Sequence, residues 1–287
     1  MDHLGISSTN AQCAIVTGDP DRVPIISKLL GGGRELTNRR GFVCHEAQVE
    51  DAPLLIVSSG IGAPAMAIVV EELIELGIRT LVRVGTCGVV QPYLQPGDLV
   101  IPTGCIRDEG TTRQYISLDF PAVPDFNLTS GLMKTLKETG RAFFHGIVHC
   151  KDAYYSESPR KQLQPTEIAL RWDSFRRAGV LATEMESSTL FVLGLLRGVR
   201  TASLLICVGE ATRPDLLEPA LKAATLAVAG NAPFMTALPP VSPPTDSRRS
   251  YLIAPGPGAG TENSDMIRDQ NTLIHNQASL LGPDAAR

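Results

Sequence analysis

Short, nearly continuous runs of β-branched and leucine residues recur along the chain up to about residue 208, separated by polar and glycine-containing segments. Runs of this length and composition are typical of strands that are buried on both faces of a sheet. The pattern predicts five strands, at residues 13–17, 54–58, 81–84, 98–102 and 204–208.

Amphipathic segments between these runs predict helices. The clearest begins at Pro64, which suits a first helical turn, and ends at Gly77, which suits a C-terminal cap. It lies between the second and third predicted strands, so the three elements predict parallel strands joined by a right-handed crossover. Further helices are predicted from near Arg22 and at residues 128–139, 186–197 and 219–229. This alternation of strands and helices predicts an α/β fold.

The composition changes at about residue 238, where the chain becomes rich in Pro, Gly, Ser and charged residues. A segment of this kind cannot bury enough apolar surface to offset the entropy lost on ordering. We therefore predict one domain over residues 1–237 and a disordered tail, without a catalytic role, over residues 238–287.

The charge balance argues against nucleic acid or a membrane surface as a partner. The 287 residues include 30 acidic and 26 basic side chains, for a net charge of -4, with no long run of Lys or Arg. No apolar stretch approaches the roughly 20 residues that cross a bilayer, and the N-terminus lacks the features of a signal peptide. We expect a cytoplasmic protein.

Six cysteines are scattered along the chain without a CxxC pair or a histidine at zinc-ligand spacing. They are predicted to be reduced thiols that pack as small hydrophobic residues, and no metal site is predicted. Cys87 differs from the others because it lies in a glycine turn.

Arg83 is the most informative charged residue, because it interrupts an apolar strand that runs directly into Gly85-Thr86-Cys87-Gly88. A buried guanidinium needs an anionic partner. That partner is either a structural carboxylate or a phosphate, which the glycine turn and the Thr86 hydroxyl would also suit. A phosphate site would lie at the carboxyl ends of the strands, where open α/β sheets bind ligands.

Two further segments carry candidate chemistry. Gly18 and Arg22 belong to a turn that opens into a predicted helix, and such a turn either binds an anion or is simply solvated. Glu184 and Glu186 flank Met185 at the start of another predicted helix. Acidic residues there commonly cap the helix, whereas a carboxylate that binds sugar hydroxyls would stabilise an oxocarbenium-like transition state.

Three other positions have weaker signals. The adjacent Tyr154 and Tyr155 either stack on a planar base or belong to a core. Glu210 follows the last predicted strand, where it is either a proton donor to a leaving base or a structural residue. His3 lies so close to the N-terminus that a frayed, inert side chain is the default expectation.

Six motifs, taken in order, resemble the family of uridine phosphorylases and hexameric purine nucleoside phosphorylases over about residues 3–232. They are HLGIS, GDPDRV, SSGIGAPAMAIVVEEL, RVGTCGVVQPYLQPGDLVIP, LDFPAVPDF and EMESSTL. The resemblance implies a three-layer α/β/α sandwich with a mixed central sheet. It also implies a homohexamer, a trimer of dimers, whose active sites are shared across the dimer interface.

The same resemblance implies roles for particular residues. Gly18, Arg22, Arg83 and Thr86 match positions that hold phosphate, and Arg40 matches an arginine that reaches in from the neighbouring subunit. Inorganic phosphate is then a co-substrate, and no metal or organic cofactor is needed.

The nucleoside positions follow in the same way. Met185 and Glu186 match the ribose-binding pair, with Glu186 on the 2′-hydroxyl, and Tyr154 matches an aromatic residue against the base. His3 matches a residue that a neighbouring subunit lends to the 5′-hydroxyl. Glu184 is a further candidate for binding the nucleoside.

The identity of the base is the open question. Arg160 matches an arginine that uridine phosphorylases offer to the uracil edge, but Ser158 stands where they have a Gln. Purine phosphorylases place an Asp after the strand at residues 204–208, and Glu210 is a possible substitute at a shifted position. The N-terminal motif and LDFPAVPDF favour uridine. A nucleosidase and a silent nucleoside-binding protein are the alternatives, although three phosphate-matching arginines argue against a nucleosidase.

Overall fold

The structure is a computed structural model, which describes residues 2–49, 52–157 and 163–209 together with the single positions Lys222, Thr225 and Val228. The described residues form nine strands and five α-helices. The strands are β1 (Cys13–Thr17), β2 (Gly33–Arg39), β3 (Phe42–Val49), β4 (Ala52–Ser58), β5 (Thr80–Val89), β6 (Leu99–Asp108), β7 (Phe144–Lys151), β8 (Ala182–Glu184) and β9 (Arg200–Val208). The helices are α1 (Arg22–Leu29), α2 (Ala63–Glu75), α3 (Phe126–Glu138), α4 (Pro165–Arg177) and α5 (Ser187–Arg197).

All nine strands belong to one mixed sheet, in the order β2-β3-β4-β1-β5-β8-β7-β6-β9. Strand β1 is parallel to both β4 and β5, whereas β5 is antiparallel to β8. Strand β9 also returns to pair with β5, so β5, β8, β7, β6 and β9 close on themselves like a barrel. The predicted α/β class and mixed sheet are confirmed.

The central strand β1 shows how the sheet separates two layers of helices. Its residues alternate between the two faces of the sheet, as in any strand. Cys13 and Ile15 pack with buried side chains of α1 and α3, while Ala14 and Val16 pack with those of α2 and α5. Helices therefore cover both faces, which confirms the three-layer arrangement that the resemblance implied.

The five predicted strands are all present, and four of them extend beyond the apolar run that predicted them. Helix α2 has Pro64 in its first turn, and Gly77 just past its end has a φ of 98°, a left-handed conformation that favours glycine. Helix α3 begins two residues before its predicted start because the Asp125 carboxylate accepts a hydrogen bond of 2.8 Å from the Leu128 amide.

Four strands and α4 were not predicted. Strand β2 is exposed or half-buried throughout, β7 is half-exposed over its first half, and β8 has only three residues. Helix α4 has no buried residue. Strand β3 begins with the buried residues Phe42 to Cys44, but polar residues follow. None of these elements has an apolar run along its whole length, on which the prediction depended.

The six cysteines are free, as predicted, and all are buried except the half-buried Cys105. Burial raises the pKa of Cys13 to about 11 and that of Cys44 to about 12, so both thiols are protonated at neutral pH. Cys87 and Cys207 lie side by side, with their Sγ atoms 3.9 Å apart.

Most of the predicted helix at residues 219–229, and the whole predicted tail at residues 238–287, lie outside the described residues. The three single positions in that helix are helical. Within the described ranges, no helix is both long and apolar enough to cross a membrane.

Candidate active site

A cavity of about 960 Å³ lies where β1, β5, β7 and β8 approach one another. It collects most of the predicted site residues, although they are far apart in the sequence. Those that line it are Gly18, Arg22, Arg83, Thr86, Tyr154, Glu184, Met185 and Glu186. We call it the main cavity.

Arg83 lines the main cavity and is only 3% exposed. Its Nε donates to Glu184 Oε2 at 3.2 Å, and its Nη2 donates to Glu186 Oε2 at 2.5 Å. Its Nη1 is also buried but has no hydrogen-bond partner among the described residues. The guanidinium therefore has two structural carboxylates and still keeps a donor for another acceptor. Both alternatives raised by the sequence are consistent with this arrangement.

Two glycines make room around this guanidinium. A Cβ atom at position 85 would come within 2.5 Å of Arg83 Cζ, so only glycine lets the side chain fold back over its own strand. A Cβ atom at position 18 would lie 3.9 Å from the unpaired Nη1. The backbone of Gly18 thus borders the free donor.

Arg22 brings a second cation to the same end of the cavity, at the first residue of α1. Burial lowers the pKa of Arg22; Asp19 opposes this shift, and the positive charge of Arg83 adds to it. Two guanidinium groups that repel each other beside a helix N-terminus are an arrangement suited to an anion. We call Gly18, Arg22, Arg83 and Thr86 the cationic end of the main cavity.

The two glutamates that flank Met185 have different roles. Glu184 accepts hydrogen bonds from the backbone amides of Glu186 and Ser187 and from the Ser187 hydroxyl, all at 2.9–3.0 Å. It therefore fixes the start of α5. Glu186 accepts from the Gly62 amide at 2.6 Å and from Arg83. Burial raises the pKa of Glu186, and the charge of Arg83 opposes that shift.

The other end of the cavity is lined by Tyr154, Lys151, Glu157 and Thr183, and we call it the far end. Tyr154 is 61% exposed, and its ring centroid lies 5.9 Å from Lys151 Nζ. Tyr155 meets the Tyr154 ring edge-on but is not part of the cavity lining. Of the two tyrosines, Tyr154 is placed to contact a planar ligand.

The sequence profile of the Phosphorylase superfamily matches residues 12–232 of this chain. The chain belongs to this superfamily. The uridine phosphorylase of Treponema pallidum is 38% identical over 213 residues, which cover 74% of this chain and 83% of that protein. The uridine phosphorylase of Escherichia coli is 33% identical over 221 residues, 75% of this chain and 87% of that protein. A guanosine phosphorylase of Halorubrum lacusprofundi is 34% identical over 193 residues, 67% of this chain and 76% of that protein.

Two predicted residues of this superfamily member lie away from the main cavity. His3 binds Glu72 on α2 through its backbone amide at 2.9 Å and its Nδ1 at 2.7 Å, and it lines a separate cavity of about 480 Å³. Arg40 is exposed in the turn between β2 and β3, where it and Gly41 have φ values of 55° and 85°. Their roles in a neighbouring subunit stay predictions.

Two other predicted residues, Arg160 and Glu210, lie outside the described residues. Among the residues that are described, no three His, Cys, Asp or Glu side chains are grouped so as to hold a metal ion. The expectation that the reaction needs no cofactor remains a prediction.

The sequence analysis missed three residues of the far end, Lys151, Thr183 and Glu157. Lys151 is only 5% exposed, its Nζ donates to Thr183 Oγ1 at 3.0 Å, and it forms an ion pair with Glu157. A signal was available, because Lys151 ends a partly apolar run just as Arg83 interrupts one. The short strand β8, which carries Thr183, has no comparable signal.

Proposed function

We propose that the chain is a nucleoside phosphorylase, with uridine as its favoured substrate. It transfers the pentosyl group of a nucleoside to inorganic phosphate and releases the free base and a pentose 1-phosphate. The observation that carries this proposal is Arg83, which holds Glu186 with one nitrogen and keeps another buried beside Gly18, without a hydrogen-bond partner among the described residues. The Arg83 guanidinium thereby connects a site for an anion with a carboxylate that can accept from a sugar hydroxyl.

Phosphate would bind at the cationic end, between the guanidinium groups of Arg22 and Arg83. Two positive charges compensate the two negative charges of the ion and fix its position relative to the sugar. Holding both reactants in one cavity makes the attack on C1′ effectively unimolecular. Water needs no such pair of cations, so this arrangement favours a phosphorylase over a nucleosidase.

Glu186 would accept a hydrogen bond from the ribose 2′-hydroxyl, next to Met185. As the C1′–N bond lengthens, the sugar gains positive charge, and a nearby carboxylate stabilises that charge more than it stabilises the ground state. Glu184 is the less suited of the two glutamates for this role, because its oxygens accept from Arg83 and from three further donors at the start of α5. The oxygens of Glu186 accept from Arg83 and from the Gly62 amide.

The base would lie at the far end, against Tyr154. Uridine is favoured because relatives named uridine phosphorylase are 33–38% identical to this chain over most of its length. A purine nucleoside is the second candidate, since a guanosine phosphorylase is 34% identical. Two residue assignments distinguish these substrates. Arg160 would bind the edge of uracil, whereas Glu210 would donate a proton to a purine base.

The active enzyme would be a homo-oligomer, a hexamer built as a trimer of dimers. His3 and Arg40 lie away from the main cavity of their own chain, as expected of residues that serve a neighbour. A mass measurement in solution tests this proposal, and a monomer would contradict both assignments.

The deciding experiment measures base release from uridine, thymidine, inosine, guanosine and adenosine, each with and without phosphate. We expect release that requires phosphate and is fastest with uridine. Release that is undiminished without phosphate would identify a nucleosidase. Ligand binding without turnover of any nucleoside would identify a silent binding protein.

A further inference from the structure

A second cavity, of about 280 Å³, lies between the sheet and α4, and Lys151 lines both this cavity and the far end of the main one. Lys151 is therefore part of the wall between them. A lysine with so little exposure loses most of its hydration, so the surrounding groups decide what its ammonium does.

A chain of hydrogen bonds runs from Lys151 through this wall. Lys151 Nζ donates to Thr183 Oγ1 at 3.0 Å, Thr183 Oγ1 lies 3.1 Å from His149 Nδ1, and His149 Nε2 lies 2.9 Å from Asp108 Oδ2. Burial opposes ionisation of Asp108, but hydrogen bonds from Arg171 and His149 outweigh it and lower the pKa of this carboxyl. Asp108 is thus an acceptor and His149 Nε2 carries the hydrogen. It follows that His149 Nδ1 accepts from the Thr183 hydroxyl, whose own lone pair accepts from Lys151.

The Thr183 hydroxyl donates to His149 and His149 donates to Asp108, so no group in this chain of hydrogen bonds donates to Lys151. Thr183 can accept only one of the three N–H groups of Lys151, and Glu157 takes another in the protein as it stands. The ammonium therefore retains donor capacity toward the main cavity, which it lines beside Tyr154.

Charged groups lie near Lys151 on the sides of both cavities. The carboxylates of Glu184, Glu186 and Asp108 favour its protonated form, and Glu157 pairs with it directly. His149 and Arg171 lie on the side of the second cavity. Burial outweighs these carboxylates and lowers the pKa of Lys151 to about 8. Its ammonium is therefore a stronger acid than that of an ordinary lysine and is still protonated at neutral pH.

The position of Lys151 in the sheet corresponds to the place where the base would bind. The order of neighbouring strands is β1, β5, β8, β7. The cationic end lies on β1 and β5, Glu184 and Glu186 are at and just after the end of β8, and Lys151 ends β7. Phosphate, sugar and base would follow one another in this same order.

We propose that Lys151 is the proton donor to the leaving base and that Thr183 is a positioning residue held by His149. This proposal rests on the proposed function. The C1′–N bond breaks with its electron pair moving to the base, and C1′ forms a bond to a phosphate oxygen. Lys151 Nζ then transfers a proton to a carbonyl oxygen of the departing base and becomes a neutral amine, which solvent protonates again. Bases that carry a ring carbonyl are therefore the preferred leaving groups.

The test compares uridine with 5-fluorouridine and 5-nitrouridine, whose increasingly electron-poor bases depend progressively less on protonation as they leave. We expect Lys151→Met to lower kcat for uridine about 100-fold, within the range of general acid catalysis, and to affect 5-nitrouridine far less. Thr183→Val should show the same trend with a smaller loss. Lys134→Met, which removes an exposed lysine of α3, is the matched control and should change nothing. An equal loss of kcat for all three nucleosides would overturn the proposal.

A second variant decides the matter if Lys151→Met does not fold. Lys151→Arg keeps the positive charge but raises the pKa of the donor. The fall of wild-type kcat above about pH 8 should move to higher pH in this variant, and an unchanged alkaline limb would overturn the proposal. The wild-type protein separates the two hypotheses. If the wild type releases no base in the presence of phosphate, the proposed function and this inference both fail. If the wild type is active but the Lys151→Met or Lys151→Arg result contradicts the expectation, only the role of Lys151 as proton donor fails.

Discussion

The two ends of the main cavity each contain a buried cation, but they hold it differently. At the cationic end, Arg83 is fixed by two carboxylates and packed over Gly85, in the middle of a ten-residue strand. At the far end, Lys151 is held by one hydroxyl and by Glu157, which belongs to a single turn of 3₁₀-helix. A rigid end suits a ligand that is the same in every turnover. A less constrained end suits the part of the substrate that differs between members of the superfamily.

The largest expected effect comes from breaking the rigid end. Arg83→Ala should lower phosphate-dependent turnover about a hundred- to a thousand-fold, as loss of a charge-stabilising donor does in other enzymes. It should also lower the free energy of unfolding by about 3–5 kcal/mol, because Glu184 and Glu186 lose their shared cation. Steady-state kinetics and denaturant unfolding measure both. Arg177→Ala, on the exposed face of α4, is the control, and an unchanged phosphate dependence would remove Arg83 from the site.

Substituting the two glutamates in turn should affect different properties, catalysis for Glu186 and stability for Glu184. We expect Glu186→Gln to lower kcat about 100-fold through the lost charge–hydrogen-bond interaction. Glu184→Gln should act mainly on stability, lowering the free energy of unfolding by about 1–3 kcal/mol, because its carboxylate accepts three hydrogen bonds at the start of α5. Measuring kcat and unfolding for both variants checks this. Equal kcat losses would contradict the division of roles.

Substituting Arg22 tests whether phosphate binding at the cationic end needs both cations. Arg22→Ala should raise the KM for phosphate about 10-fold, the effect of one charge-assisted hydrogen bond. Its loss should leave stability nearly unchanged, because its pairing with Asp19, at 3.8 Å, is long and partly exposed. Phosphate titration at saturating uridine gives the KM. If that KM equals the wild-type value, phosphate binds without Arg22.

The smallest effect is expected from the exposed side of the far end. Tyr154→Leu should raise the KM for uridine about 2- to 10-fold, since an aromatic contact contributes about 0.5–1.5 kcal/mol beyond its area. Tyr155→Leu is a matched control, because Tyr155 is 82% exposed and is not part of the cavity lining. Equal effects of the two substitutions would mean that the base does not lie against Tyr154.

Local pattern alone determined the interior of this fold. The apolar runs located β1, β4, β5, β6 and β9 because strands that are buried on both faces must be apolar along their length. The Pro64 and Gly77 signals located α2 for equally local reasons. Arg83 was recognisable as a site residue for the opposite reason, since a charge inside such a run needs a partner. The ordered motifs indicated the family, which the superfamily match confirms.

Only the tertiary structure decided what depends on residues far apart in the chain. Strand β2 and helix α4 bury too little apolar surface to leave a periodic signal, and β8 is defined by its neighbours rather than by its own three residues. Which glutamate fixes α5 and which one binds Gly62 depends on where α2 begins in space. The far end depends on β6, β7 and β8 lying side by side. Each hydrogen bond in the chain from Lys151 through Thr183 and His149 to Asp108 joins residues 32 to 41 positions apart in the sequence. Such contacts follow from strand pairing, which hydrophobic periodicity does not encode.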